Sequence, residues 1–192
     1  SSMTRNVLLV GVGGQGTILA STLMTIGLMR AGYDVKMSEI HGMSQRGGSV
    51  SSQIRYGDAV NSPVIEPGGA DLLVAFEKME ALRWLPYLKP GGNVIVNDCQ
   101  INPVSVATGV AVYPPNICAE LAARVPTYVF HAAEEAEKLG NPKVTNVLLL
   151  GAVVRTMGLE HIDWDAIIRE TVKPAYAEVN VLAFKRGMEL IG

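Results

Sequence analysis

The chain has 192 residues, 48% of them hydrophobic and only 18% charged, with 20 glycines and a formal net charge of −2 at pH 7. That length suits one hydrophobic core, so residues 1–192 read as a single domain, and the composition excludes collagen, coiled coil and disorder. A nearly neutral chain carries no basic field to hold a polyphosphate backbone, which argues against nucleic acid as a partner.

Ser1-Ser2 ahead of Met3 reads as a tag remnant. Residues 6–10 form an apolar run of strand length, followed by Gly11-Val-Gly-Gly-Gln-Gly16 and a helix to about residue 31 that Gly32 stops. No charged side chain occurs from Asn6 through Met29, a stretch longer than the roughly 20 residues that cross a bilayer. The glycines interrupt it where a spanning helix needs regular hydrogen bonding, so strand, turn and largely buried helix replace a membrane span. No A-x-A cleavage site follows, and the chain reads as cytoplasmic.

Residues 33–39 read as a second strand, leading into the polar loop His41-Gly-Met-Ser-Gln-Arg-Gly-Gly48. Residues 49–56 alternate as a third strand, with Val50, Ser52, Ile54 and Tyr56 on one face. A fourth strand is expected over 71–76, a helix over 78–88 ended by Lys89-Pro-Gly-Gly92, a fifth strand over 93–97 and a short sixth over 109–113. Helices follow over 115–124, 132–139 and 144–157, with an extended piece at 127–130. Asp163 is placed to cap a helix through about 172, and Pro174 opens a last one towards 190. Strands first, with helices between and after them, predict an α/β fold: a three-layer α/β/α sandwich on a mostly parallel, Rossmann-like sheet.

The only cysteines, Cys99 and Cys118, make no C-x-x-C pair, and His41, His131 and His161 make no short ligand set, so neither an iron–sulfur cluster nor structural zinc is expected on this chain. Gly11, Gly13 and Gly16 satisfy G-x-G-x-x-G between strand and helix, where glycine lets backbone N–H groups approach an anion. Glu39 follows at the spacing of a ribose acid, so a free-standing NAD- or FAD-binding protein is one reading; a turn that only packs strand against helix is another. The loop holding Ser44, Gln45, Arg46, Gly47 and Gly48 should emerge at the same carboxyl edge, where Arg46 is suited to a phosphate or carboxylate.

Three segments, the glycine loop, Glu39-Ile-His-Gly-Met-Ser-Gln-Arg-Gly-Gly-Ser-Val50, and Asn141-Pro-Lys-Val-Thr-Asn146 leading into Leu148-Leu-Leu-Gly151, resemble the gamma subunit or domain of 2-oxoacid:ferredoxin oxidoreductases over essentially the whole chain. The His41–Gly48 loop is most similar to the indolepyruvate branch. The resemblance implies an enzyme that decarboxylates a 2-oxoacid on thiamine diphosphate, passes electrons through iron–sulfur clusters to ferredoxin and gives the acyl group to coenzyme A. It implies that thiamine diphosphate, magnesium and the clusters sit on a larger partner subunit, that this chain binds no cofactor alone and carries no catalytic residue, and that it shapes the coenzyme A side of a shared site. Gly11, Gly13, Gly14, Gln15, Gly16, Ser44, Gln45, Arg46, Gly47 and Gly48 are the candidates for that role. A docking module with no small-molecule ligand is the remaining reading. An average soluble domain is about 25% charged. The shortage here points to surface hidden against a partner, expected at the glycine loop with its helix and at the nearly uncharged helix over 144–157, broken only by Arg155.

Overall fold

The computed structural model describes residues 3–41 and 48–192. Six strands form one sheet in the order β2-β3-β1-β4-β5-β6. β1 (Arg5–Val12), β4 (Ala70–Ala75), β5 (Leu88–Asn97) and β6 (Thr127–Phe130) run parallel, each apolar enough to be covered on both faces. β2 (Asp34–His41) and β3 (Ser49–Gly57) pair antiparallel and join the sheet as a hairpin, β3 lying antiparallel against β1 from Arg5↔Tyr56 to Val12↔Ser49. The sheet is therefore mixed, with three of its five pairings parallel.

Helices cover both faces, as the sandwich requires. On one face α1 (Thr17–Arg30), α5 (Ala132–Lys138), α6 (Thr145–Met157), α7 (Trp164–Thr171) and α8 (Pro174–Ile191) enclose a core built from Leu23, Leu28, Ile54, Leu72, Leu148 and Trp164. On the other, α2 (Lys78–Trp84) and α4 (Ile117–Arg124) cover Leu8, Val10, Leu73 and Val96; a single turn, α3 (Val104–Ala107), lies between them in sequence. Asp163 caps α7 as expected, its carboxylate accepting the Ala166 N–H at 3.2 Å.

Three sequence expectations change. Residues 109–113 form no strand: Gly109 sits at φ 80° and ends the turn of α3, with the Ala111 N–H bonded back to Ser105. The helix begun at Lys78 stops at Trp84, because Pro86 turns the chain into a 3-10 segment, and residues 89–92 lie inside β5 at a register shift rather than at a helix end. Helix α6, whose one charged side chain is Arg155, has nine residues buried within this chain, and only Ile18, Met29 and Arg30 of α1 are exposed, so the shortage of charge in both is satisfied internally.

Glu135 on α5 joins α8 through the guanidinium of Arg186, with Nε–O at 2.9 Å. That hydrogen bond outweighs partial burial and holds the carboxyl below its ordinary 4.5. The pair's contribution is thus present above about pH 4.5 and fades as pH falls through the depressed value. Glu135→Gln should lower the urea midpoint modestly at pH 7, and the difference should shrink as pH falls below the ordinary 4.5 and through the depressed value. A loss that stays constant on acidification would remove the ion pair from the account.

Candidate functional site

The carboxyl ends of β1, β4, β5 and β6 open onto one edge of the sheet, and the loop after β1 crosses it. Gly11 is too close to its neighbours for a side chain: a Cβ there would lie 2.9 Å from Gln15 Oε1 and 3.1 Å from Phe76 Cβ. Gly16 is needed twice over, at φ 83° and with Asn146 Nδ2 2.5 Å from where its Cβ would be. Gly14, at φ 93°, is needed for its backbone alone, whereas the Cβ position of Gly13 is open. The Gly13 N–H donates to the Gly48 carbonyl at 3.0 Å, which brings the two glycine-rich loops together at this edge. Ser44, Gln45, Arg46 and Gly47 lie outside the described residues.

Gln15 acts as a strut. Its Oε1 accepts the Val12 N–H at 2.8 Å and its Nε2 donates to the Phe76 carbonyl at 3.1 Å, tying the loop to the end of β4. Beside it opens a cleft of about 450 Å³ bordered by Gly14, Gly16, Asn97, Cys99, Lys143 and Asn146. Two helices begin here, α1 at Thr17 and α6 at Thr145; the first turn of α1 has no side-chain cap, and in that of α6 Asn146 Oδ1 accepts the Val147 N–H at 2.9 Å. Their N–H groups and the positive ends of their dipoles face the cleft edge, and Lys143 adds a full charge, so the arrangement suits an anionic group.

Neither Cys99, which borders the cleft, nor Cys118 on α4 is activated. Burial, followed by the charge of Glu77, pushes the Cys99 thiol up, and burial followed by Asp98 does the same to Cys118, so both stay protonated near neutral pH. Among the described residues no group of three or more His, Cys, Asp or Glu side chains is placed to hold a metal ion. A second cleft, of about 500 Å³, opens at the amino edge, where Arg5 and Lys89 both pair with Asp71. Its cations are already matched, and the glycine loops are at the opposite end.

The dinucleotide reading meets an obstacle in the strand order. β3 stands between β1 and β2, so Glu39 is two strands away from the glycine loop, roughly 10 Å at ordinary strand spacing. Its carboxylate faces Ser21 of α1, 3.5 Å from the hydroxyl, rather than the cleft. Sequence reading passed over Asn97 and Lys143 as site residues. Asn97 ends β5 and accepts the Ala132 N–H at 2.9 Å, and Lys143 stands one turn before α6. The available signal was position: both follow elements that end or begin at the carboxyl edge.

The profile of the pyruvate ferredoxin/flavodoxin oxidoreductase family matches residues 6–190. The indolepyruvate oxidoreductase subunit IorB of Pyrococcus horikoshii is 41% identical over 195 residues, covering 96% of this chain and 94% of the relative. Among solved structures, the gamma subunit of a keto/oxoacid ferredoxin oxidoreductase from Geobacter sulfurreducens superposes with a TM-score of 0.71 at 24% identity, over 97% of this chain and 98% of that one. A 2-oxoglutarate:ferredoxin oxidoreductase from Magnetococcus marinus, with 2-oxoglutarate, coenzyme A and succinyl-CoA bound, gives a TM-score of 0.75 at 18% identity. That match covers 98% of this chain and 31% of the Magnetococcus one. No helix among the described residues is long and apolar enough to cross a membrane.

Proposed function

The chain belongs to the pyruvate ferredoxin/flavodoxin oxidoreductase family as a small subunit of a 2-oxoacid:ferredoxin oxidoreductase, and we propose that its enzyme acts on indolepyruvate or a related aryl 2-oxoacid and that this chain forms the coenzyme A side of the site. The observation that carries the substrate branch is the 41% identity to an indolepyruvate oxidoreductase subunit along nearly the full length of both chains. Thiamine diphosphate, magnesium and iron–sulfur clusters are assigned to a larger partner subunit, through which electrons reach ferredoxin. A cytoplasmic location is in keeping with two free cysteines.

Coenzyme A, when bound, supplies the thiol that takes up the acyl group. The residues of this chain fit its phosphates: Gly14 and Gly16 leave the backbone bare at the start of α1, the first turn of α6 stands opposite, and Lys143 contributes a cation. Asn146, 8% exposed, lies against Gly16 and fixes how closely the two helix starts approach. Gln15 and Cys99 border the same cleft without a charge that would repel the ligand. Arg46, which precedes Gly47 and Gly48 in the sequence after β2, is assigned to a phosphate or carboxylate on the same ligand. Gly11 sets the turn from beneath, and residues 1–192 are taken to act as one domain.

The test is reconstitution with the larger chain from the same genome, with dye reduction by indolepyruvate followed as coenzyme A is varied. Turnover should require this chain. Lys143→Met should raise the KM for coenzyme A about tenfold, the loss of one charge-assisted phosphate contact, leaving the KM for the 2-oxoacid and the cluster absorbance alone. An unchanged coenzyme A dependence would sink the role of the cleft, and tight NAD(H) binding by the chain would sink the reading altogether.

A further inference from the structure

Between Asp98 and Glu120 the sequence contains no charged side chain. This is the connection from β5 to α4, and it runs over the carboxyl edge beside the cleft. Surfaces kept in water carry charge at about one residue in four, so a connection this long should hold several. Instead it presents Val104, 68% exposed, Val110, 83% exposed, and Val112, 88% exposed.

The segment is held in place from below. Glu77, 1% exposed, accepts the Ile101 N–H at 3.0 Å and the Tyr113 hydroxyl proton at 2.5 Å, so one buried carboxylate ties both ends. The Met79 N–H donates to the same tyrosine oxygen at 3.1 Å. Inside the loop the Ala111 N–H reaches the Ser105 carbonyl at 2.9 Å, and the Thr108 hydroxyl reaches that of Val104 at 2.8 Å. An apolar segment free to move could turn its valines inward; this one is fixed with them outward. Ordering before contact is the property that strengthens binding, because less freedom is lost on association. The exposed apolar residues of α8 differ: Tyr176, Leu182 and Leu190 are spaced among Glu178, Lys185, Arg186 and Glu189, the ordinary pattern of a solvated helix.

We propose that residues 101–113 are the surface by which this chain docks onto the polypeptide carrying the remaining domains of the oxidoreductase, against an equally uncharged, apolar patch. This rests on the subunit reading above. The occupant follows from two observations. Asn97 and Cys99 border the cleft and lead directly into the segment, so the body that closes over the cleft meets these valines at its rim. The absence of charge excludes a partner recognised by electrostatic complementarity, as a freely exchanging charged carrier would be. A fold of this kind also makes up about a third of one longer chain in the Magnetococcus enzyme.

The experiment is co-purification and titration of the chain with the larger subunit from the same genome, using Val110→Glu and Val112→Glu, alone and together. Both side chains are in solvent, so the isolated variants should keep the wild-type urea midpoint, while each new carboxylate must lose water on docking. The double variant should bind at least about 100-fold more weakly, and Leu182→Glu on α8 should bind like wild type. Wild-type affinity in the double variant, or a greater loss from Leu182→Glu, would overturn the proposal and leave the subunit reading intact. A wild-type chain that forms no complex would overturn both. A self-associating chain made monomeric by the valine variants, with partner binding unchanged, would assign the surface to a second copy and overturn the proposal.

Discussion

Replacing Gly187 by alanine should cost about 4 kcal/mol of stability, at the severe end of single substitutions, and lower the midpoint of thermal unfolding by about 10 °C. The cause is the crossing of α6 and α8. A Cβ on Gly187 would lie 1.8 Å from the Leu148 carbonyl oxygen, and one on Gly151 would lie 2.0 Å from that of Phe184. The two glycines face each other's backbones reciprocally, so neither clash is relieved by rotating a side chain; the helices themselves must separate. Separation would open the core around Leu148, Val181 and Phe184. Gly109→Ala is the control, since Gly109 also has a positive φ but nothing within 4 Å of a Cβ; it should cost only about 1 kcal/mol of backbone strain. Denaturant unfolding of the two variants checks the argument, and a Gly187→Ala loss no larger than that of Gly109→Ala would refute the close crossing.

Glu77→Ala should be the most damaging change at a polar residue, with a loss of about 3 kcal/mol or more. The carboxylate caps α2 through the Glu80 N–H at 3.0 Å while holding Ile101 and Tyr113. Removing it strands three donors, one buried and two part-buried, each of which then lacks the partner that compensated its loss of water. The consequence should reach beyond stability: amide exchange across residues 101–112 should accelerate far more than exchange in α6, because the anchor of that segment has gone while the main core is intact. Tyr113→Phe, which removes one of the three bonds, should show the same pattern at smaller size. Uniform acceleration throughout the chain would mean that Glu77 stabilises the whole fold and does not specifically position the segment.

Much of the architecture can be read from local pattern. The apolar runs at 6–10 and 93–97 are strands because nothing in them competes with burial, and Gly14 and Gly16 lie where the chain must take positive φ before a helix. Pro174 opens α8 at its first turn and Asp163 caps α7, both fixed by chemistry within a few residues. The error at 109–113 is instructive: alternating valines between turn residues carry the signature of a strand, but a strand needs an unpaired edge to join. β6 takes the place beside β5, and the segment instead bonds back on itself from Ala111 to Ser105 and runs over the surface.

The site was partly legible for the same reason. Glycine spacing identified the loop after β1, and strand direction placed the loop after β2 at the same edge, as the bond between Gly13 and Gly48 bears out. Glu39 looked like a ribose ligand because sequence spacing does not reveal that a hairpin strand intervenes between β1 and β2. Gly151 and Gly187 sit inside helices, where glycine ordinarily costs up to ~1 kcal/mol relative to alanine; their reason lies in contact between positions far apart in the chain.

By itself, then, the sequence determined the α/β class, the positions of most elements, the glycine loops at one edge and the shortage of charge. Only the tertiary structure decided where that shortage matters. The two helices poor in charge, α1 and α6, are buried largely within this chain, whereas the uncharged run following β5 leaves Val104, Val110 and Val112 in water. Local composition records that a segment avoids charge, whereas long-range packing determines whether its apolar side chains meet the chain's own core or are left exposed for another protein to cover.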